Sequence, residues 1–292
     1  MSEHRRLPDW LTKPIADPAK TKRVRDMLAE TGLNTVCNEA RCPNRVDCFS
    51  RGTATFMILG DHCTRDCRFC AVSHGTGPAP DPDEPATVAR AVRDLGLSFI
   101  VITSVTRDDL PDGGAAHFAA TVRAIHDLCP GTGVEVLVPD FGGDLSCVDT
   151  VLAARPEVFG HNLETVRRLY REARPVADYE RSLSVLRHAA DSCDAPLVKS
   201  AIMVGLGEMR LELDGAFMDL KRSGVDVVYV GQYLQPTAGH LPVARFVPPD
   251  EFADLTRWCR GLGFAWVSSG PFVRSSYEAE KVVEELGVAA GV

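Results

Sequence analysis

The sequence predicts an α/β chain folded as a complete or partial β/α barrel, and three observations carry that prediction. Short apolar runs recur along most of the chain, amphipathic helical patterns separate them, and polar residues gather just after each run. Strands alternating with helices imply right-handed βαβ units and a parallel sheet. In a β/α barrel the chemistry collects at the C-terminal ends of the strands.

Residues 1–53 read as an N-terminal extension rich in Arg, Pro and Cys, with one helix near 18–31 and loop elsewhere. Residues 54–270 form the barrel. Its strands are expected at 54–59, 98–103, 134–139, 158–162, 198–204, 226–231 and 264–269, each a brief apolar run. Between them, 85–95, 115–128, 179–190, 211–224 and 249–263 show helical apolar spacing. Gly96, Gly224 and Gly263 close three of these helices, where a left-handed cap is accessible to glycine. Residues 271–292 form a C-terminal extension, and the two extensions are expected to cover the barrel mouth. Polar strand-end groups follow in order: Thr103-Ser104, Pro139-Asp140, His161 to Glu164, Gly205 to Glu208, Gln232-Tyr233 and Ser268-Ser269-Gly270.

Composition narrows the class. A hydrophobic share of 45% and a charged share of 25% suit a soluble globular protein. No apolar run reaches membrane-spanning length, and the opening MSEHRRLPDWLTKP lacks a signal-peptide core, so a cytoplasmic protein with no membrane partner is expected. A net charge of -8 argues against general nucleic-acid binding. In a reducing compartment, clustered cysteines point to metal or catalysis rather than to disulfides.

Six of the ten cysteines form two clusters, Cys37-x4-Cys42-x5-Cys48 and Cys63-x3-Cys67-x2-Cys70. Each supplies three thiols, which leaves one position of a four-coordinate site, or one iron of a cubane, without cysteine. Closed zinc sites usually take four ligands, although His62 and His74 lie close enough in sequence to keep zinc as an alternative. Cys129, Cys147, Cys193 and Cys259 have no metal spacing and read as small apolar or incidental thiols.

The run GDHCTRDCRFCAV, following the first barrel strand, resembles the radical S-adenosylmethionine (SAM) superfamily. The resemblance implies a partial (β/α)6-type TIM barrel of the radical SAM kind. It also implies a [4Fe-4S] cluster on Cys63, Cys67 and Cys70 whose free iron binds SAM and reduces it to a 5'-deoxyadenosyl radical. Phe69 then packs near the adenine or is a core aromatic. Ser104, Asn162, Glu164 and Lys199, read as strand-end residues, then contact SAM or serve as caps. Gly205-Leu206-Gly207-Glu208 resembles a loop beside SAM, although any strand-to-helix turn favours glycine.

The first cysteine cluster together with Arg274-Ser275-Ser276-Tyr277 resembles the lipoyl synthase family. MILGDHCTRDCRFCAV, SVTRDDLPDGG, HNLETVRRLYREARPVADYERSL, GLGE, GQYLQPT and SSGPFVRSSY extend the likeness over nearly the whole chain. His62, Gly160 and Met209 stand where Thr, Asn and Thr are expected, and Thr237-Ala238-Gly239-His240 replaces a more basic run. This resemblance implies a second, auxiliary [4Fe-4S] cluster on Cys37, Cys42, Cys48 and Ser276, with Ser275 as the alternative ligand. An ordinary helix N-cap, with Glu278 in the first turn, is the other reading of these serines. The implied activity is insertion of two sulfur atoms at C6 and C8 of a protein-bound octanoyl-lysine chain, with the auxiliary cluster as sulfur donor.

Implied partners are an octanoylated lipoyl-carrier domain (a 2-oxoacid dehydrogenase E2 or glycine-cleavage H protein), a flavodoxin or ferredoxin as electron donor, and an iron-sulfur carrier for cluster repair. Arg107-Asp108-Asp109 and Arg167-Arg168 either position SAM, meet an acidic carrier or are solvated charge. Competing readings are a biotin-synthase-like sulfur inserter, a methylthiotransferase, and a non-catalytic zinc or iron-sulfur scaffold.

Overall fold

The computed structural model describes residues 7–13 and 18–287. Its strands are β1 (Asn34–Thr35), β2 (Thr55–Ile58), β3 (His62–Cys63), β4 (Ser73–His74), β5 (Phe99–Ser104), β6 (Gly133–Leu137), β7 (Val158–Gly160), β8 (Leu197–Val204), β9 (Val227–Gln232) and β10 (Trp266–Gly270). Eight of them form one sheet in the order β1-β2-β5-β6-β7-β8-β9-β10, and β3 pairs with β4 separately. From β2 to β10 every pairing is parallel, as the alternating pattern requires; β1 alone runs antiparallel, against β2. The strands β2 and β10 do not pair, so the barrel is partial.

The helices are α1 (Lys22–Thr31), α2 (Val36–Glu39), α3 (Arg45–Ser50), α4 (Glu84–Leu95), α5 (Ala115–Leu128), α6 (Leu145–Leu152), α7 (Tyr170–Ala173), α8 (Tyr179–Ala190), α9 (Arg210–Arg222), α10 (Pro249–Gly261) and α11 (Ala279–Leu286). The expected glycines stand just past α4, α9 and α10, each with positive φ. Helices α2, α3, α6 and the four-residue α7 escaped the sequence reading. Residues 36–39 and 45–50, taken for loop, are α2 and α3, too short to show a helical period. Helix α6 fills the gap between β6 and β7, capped by Asp144, whose carboxylate accepts the Ser146 N–H at 3.0 Å.

Alternation along the strands separates two apolar faces. The outer face sets Phe56, Ile58, Ile100, Ile102, Val134 and Val136 into one large core that also contains the buried sides of the surrounding helices. On the inner face, Ala201, Val227 and Tyr229 form a separate cluster with Val282 of α11, flanked by Trp266 and Leu286. Helix α11 therefore lies against the inner face of the sheet.

The C-terminal extension reaches further than a cover over the mouth. It leaves β10 at Gly270 and presses the Val273 carbonyl against Gly231 on β9, where any Cβ would overlap it. It then passes Thr55, Phe99 and Val101 at the starts of β2 and β5 before α11 begins. Lys199 shares this floor. It is the third residue of β8 and does not stand at the strand's C-terminal end. Its Nζ lies 2.7 Å from Glu135 Oε2 and 4.2 Å from the centre of the Tyr229 ring.

Above β7, His161 is buried and held by two bonds. Its Nδ1 lies 2.9 Å from the Val138 carbonyl and therefore carries the proton; its Nε2 lies 3.0 Å from Ser182 Oγ. Burial, reinforced by the Arg174 charge, lowers its pKa from 6.5 to about 4. Between those two values the unfolded chain binds the extra proton and the folded one does not. Stability should thus fall as pH drops from 6.5 towards 4, by at most about 3 kcal/mol from this group. Denaturant titrations across that window should show the slope, and His161→Gln should flatten it.

Candidate active site

The second cysteine cluster lies on the loop leaving β2, at the C-terminal end of the barrel strands. Cys63 closes β3, the Arg65 amide donates to Cys63 Sγ at 3.4 Å, and the Cys70 amide donates to the Cys67 carbonyl at 2.9 Å. Neighbouring loops grip this segment. The Arg68 amide donates to the Ala173 carbonyl, and the Leu241 amide donates to the Arg68 carbonyl, both at 2.9 Å. His240 bridges Thr237 Oγ1 at 2.8 Å and the Cys70 carbonyl at 2.9 Å. Burial pushes the Cys70 thiol up to about 12 and raises that of Cys67, whereas the Arg174 guanidinium facing Cys67 works the other way.

Several candidate cofactor residues gather beside this loop. Asn162 donates to Glu164 Oε1 at 3.1 Å, and Arg174 donates to the Asn162 carbonyl at 3.1 Å and to Tyr170 Oη at 3.0 Å. Glu164 holds a positive φ of 69°, strained for a glutamate, and its surroundings raise its pKa mainly by desolvation. Ser104 Oγ, Ser269 Oγ and Arg174 Nε are buried and have no partner among the described residues. Unmet donors at one end of a barrel are what a polar ligand satisfies. Phe69 is half-buried and stands outside the hydrophobic core, so the core-aromatic reading does not hold. Sequence reasoning overlooked Arg174 and gave His240 no contact with the cysteine loop; only the fold brings either to it.

The GLGE loop serves itself. Glu208 accepts the Gly205 and Leu206 amides at 2.7 and 2.9 Å and closes the turn after β8. Likewise Arg107 binds Asp109 and the Leu59 carbonyl, and Arg168 binds Glu212 and the Gly207 carbonyl. These charges fasten loops to one another.

The first cysteine cluster lies beside the open side of the barrel. Thr35, the last residue of β1, caps α2 by accepting the Asn38 amide at 3.3 Å, and α2 carries Cys37. Cys37 is only 5% exposed, and burial raises its thiol to about 12. Helix α3 carries Cys48, whose Sγ lies 3.7 Å from Arg51 Nη2. The C-terminal extension is fastened across this segment. Asn44 donates to the Phe272 carbonyl at 2.7 Å, Arg51 pairs with Glu278 at 3.5 Å, and the Arg274 guanidinium faces Cys42. Ser276 shares a small cavity with Cys48 and Arg51. The N-cap reading of the serines fails, because α11 starts at Ala279 and its N-cap position is Glu278, at φ 52°.

All ten cysteines are free thiols. Among the described residues no three Cys, His, Asp or Glu side chains converge tightly enough for a single metal ion. His62 and His74 turn instead to Asp61 and Asp66, at 2.6 and 3.1 Å. Two sets of three thiols, each lacking a fourth Cys or His, suit clusters whose ligands are spread over separate irons better than one zinc.

A family profile described as the radical SAM superfamily matches residues 57–220. The lipoyl synthase of Desulfotalea psychrophila is 51% identical over 282 residues, covering 97% of this chain and 94% of that protein. The lipoyl synthase of Thermus thermophilus is 52% identical over 283 residues, covering 96% and 88%. In fold, the chain is similar to methylornithine synthase (PylB), with a TM-score of 0.52 at 13% identity, covering 96% of this chain and 91% of that one. Streptococcus suis SuiB bound to S-adenosylmethionine gives a TM-score of 0.54 at 12% identity, covering 89% and 58%.

The turn after β8 supplies a stability test. Gly205 has φ +100°, and a Cβ there would overlap Gln232 Nε2 and lie 2.6 Å from the Arg245 carbonyl. Gly205→Ala should destabilise the fold by about 2 kcal/mol or more. Thermal melts of the metal-free proteins should show this as a lower midpoint.

Proposed function

The chain belongs to the lipoyl synthase family of radical SAM enzymes, and from that premise we propose how its residues divide the work. It inserts two sulfur atoms, at C6 and C8, into an octanoyl-lysine chain borne by a carrier protein. When bound, the two [4Fe-4S] clusters and SAM supply one-electron radical chemistry at unactivated C–H bonds together with the sulfur.

Cys63, Cys67 and Cys70 hold the SAM-binding cluster, and Cys37, Cys42, Cys48 and Ser276 hold the sulfur donor. The observation that carries this reading is the delivery of Ser276 to Cys48 by a C-terminal segment fastened on the N-terminal cysteines. An alkoxide is a harder ligand than thiolate and a weaker match for iron, so it releases more readily. Because burial raises the pKa of the Cys37, Cys48, Cys67 and Cys70 thiols, metal binding has to draw off their protons.

SAM meets the half-buried groups at the strand ends. The Arg174 charge suits its carboxylate, Asn162, Glu164 and Ser104 suit its amine and hydroxyls, and the Phe69 ring suits its adenine. Lys199, committed to Glu135, anchors the floor instead. The apolar floor made by α11 with Val227 and Tyr229 keeps water from reactive carbon. A reductant is required; flavodoxin or ferredoxin, an E2 or H-protein carrier and an iron-sulfur carrier for repair are the proposed partners. No described helix is long and apolar enough to cross a membrane.

A single-turnover assay tests the division of labour, using reconstituted protein, SAM, dithionite and an octanoyl-lysine peptide read by mass spectrometry. Wild type should yield 5'-deoxyadenosine and a peptide carrying two added sulfurs. Cys67→Ala should yield neither; 5'-deoxyadenosine from this variant would sink the assignment of that cluster. Cys42→Ala should release 5'-deoxyadenosine without sulfur transfer. Ser276→Ala should lose about tenfold or more of sulfur insertion, whereas Ser275→Ala should retain it. The reverse ranking would move the ligand to Ser275.

A further inference from the structure

The three residues between Cys63 and Cys67 contain a buried guanidinium that the reaction does not use. Arg65 is 5% exposed. Its Nε donates to Asp108 Oδ2 at 2.7 Å, and its Nη2 donates to Asp108 Oδ1 at 2.8 Å and to Asp140 Oδ1 at 2.6 Å. Asp140 is fully buried at the end of β6, where it also accepts the Gly142 amide at 3.1 Å and faces Arg181 at 3.4 Å. Thr64 strengthens the same seam. Its amide and hydroxyl donate to the Thr106 carbonyl at 3.0 Å, and its hydroxyl accepts the Asp108 amide at 3.0 Å.

The cysteine loop is thus tied at its centre to the loop after β5 and to the end of β6. A buried ion pair adds little net stability, because desolvation offsets its attraction. It does fix geometry, and a planar fork that spans two carboxylates fixes it in two directions. One peptide further back, the Arg65 amide is turned onto Cys63 Sγ. The same residue therefore orients one thiol through its backbone and fastens the loop through its side chain.

We propose that Arg65, held by Asp108 and Asp140, is a positioning residue that sets the separation of Cys63 and Cys67 before any cluster is present. Cluster uptake then finds a preformed loop and pays little ordering entropy. This rests on the reading of Cys63, Cys67 and Cys70 as cluster ligands. Asp108, half-exposed at the rim, carries part of the hold, and Asp140 carries the buried part.

The test uses the full chain in the Cys42→Ala background, so that bound iron reports the Cys63 site. Arg65→Gln, Arg65→Lys and Asp108→Asn are reconstituted at limiting iron and sulfide. The readouts are bound iron, the change that SAM causes in the spin-resonance signal of the reduced protein, and the melting temperature of the metal-free chain. Arg65→Gln should need about tenfold or more iron and sulfide for half-loading, with a blunted response to SAM in a chain that is still folded at the assay temperature, although buried Asp140, left without the guanidinium, lowers its melting point. Arg65→Lys should resemble Arg65→Gln, because an ammonium cannot form the fork. Asp108→Asn should weaken loading less, and it decides the matter should Arg65→Gln not fold. Parental loading and SAM response in Arg65→Gln, or in a well-folded Asp108→Asn, would overturn the proposal. So would a loss of loading fully accounted for by a lower melting temperature. Unchanged iron in a Cys67→Ala control would instead overturn the ligand assignment beneath it.

Discussion

Pairing between β1 and β2 uses the backbone edge of β2 that faces away from β5. A barrel closes only when its first and last strands exchange hydrogen bonds, and here that edge is already occupied. Two consequences follow from two residues of strand. The inner face of the sheet stays accessible from the side, so the C-terminal extension enters and α11 covers apolar residues that would otherwise face water. At the end of β1, Thr35 caps the helix that carries Cys37, so the pairing that holds the barrel open also places that thiol.

The two thiol clusters occupy contrasting settings. Cys63, Cys67 and Cys70 share one loop, hemmed by backbone bonds to Ala173 and Leu241 and by a polar layer containing Arg65, Asp140, His161, Ser182, Tyr170 and Arg174. That loop belongs to the barrel and is built from neighbouring strand ends. Cys37 and Cys48 sit on two short helices outside the barrel, with Cys42 in the turn between them, and the segment after β10 is fastened across all three. A site that is kept and a site that is consumed have different needs. On the proposed assignment of the two thiol sets, the first gains from rigidity and the second from a ligand on a separable strap.

Much of this was legible in the amino-acid order. Every barrel strand betrayed itself by an apolar run, and the five long helices by their period, because burial on one face forces both patterns. Strand β1 and helices α2 and α3 were hidden by brevity, since two to six residues hold less than two periods. Lys199 shows a subtler limit. The sequence places it in an apolar run but not at a height within the barrel, and only pairing with Glu135 on β6 reveals that it lies near the floor. The cysteine spacings announced two three-thiol sites directly, whereas Ser276 stood out only through resemblance to a family. Arg65, Arg174 and His240 were mute as letters, because their meaning lies in partners 12 to 170 positions away.

The staple between the chain's two ends carries a consequence for its biogenesis. Asn44 bonds to Phe272 across 228 positions, and Tyr277 meets Asp47 across 230. During synthesis the segment of Cys37, Cys42 and Cys48 emerges long before the segment that is fastened across it. Contacts so distant in sequence form late. A nascent chain can therefore complete the loop around Cys63 while the staple across Asn44 and Arg51 is still unmade. On the proposed assignment of Ser276, the site around Cys37, Cys42 and Cys48 is therefore completed only after every strand of the barrel has been made.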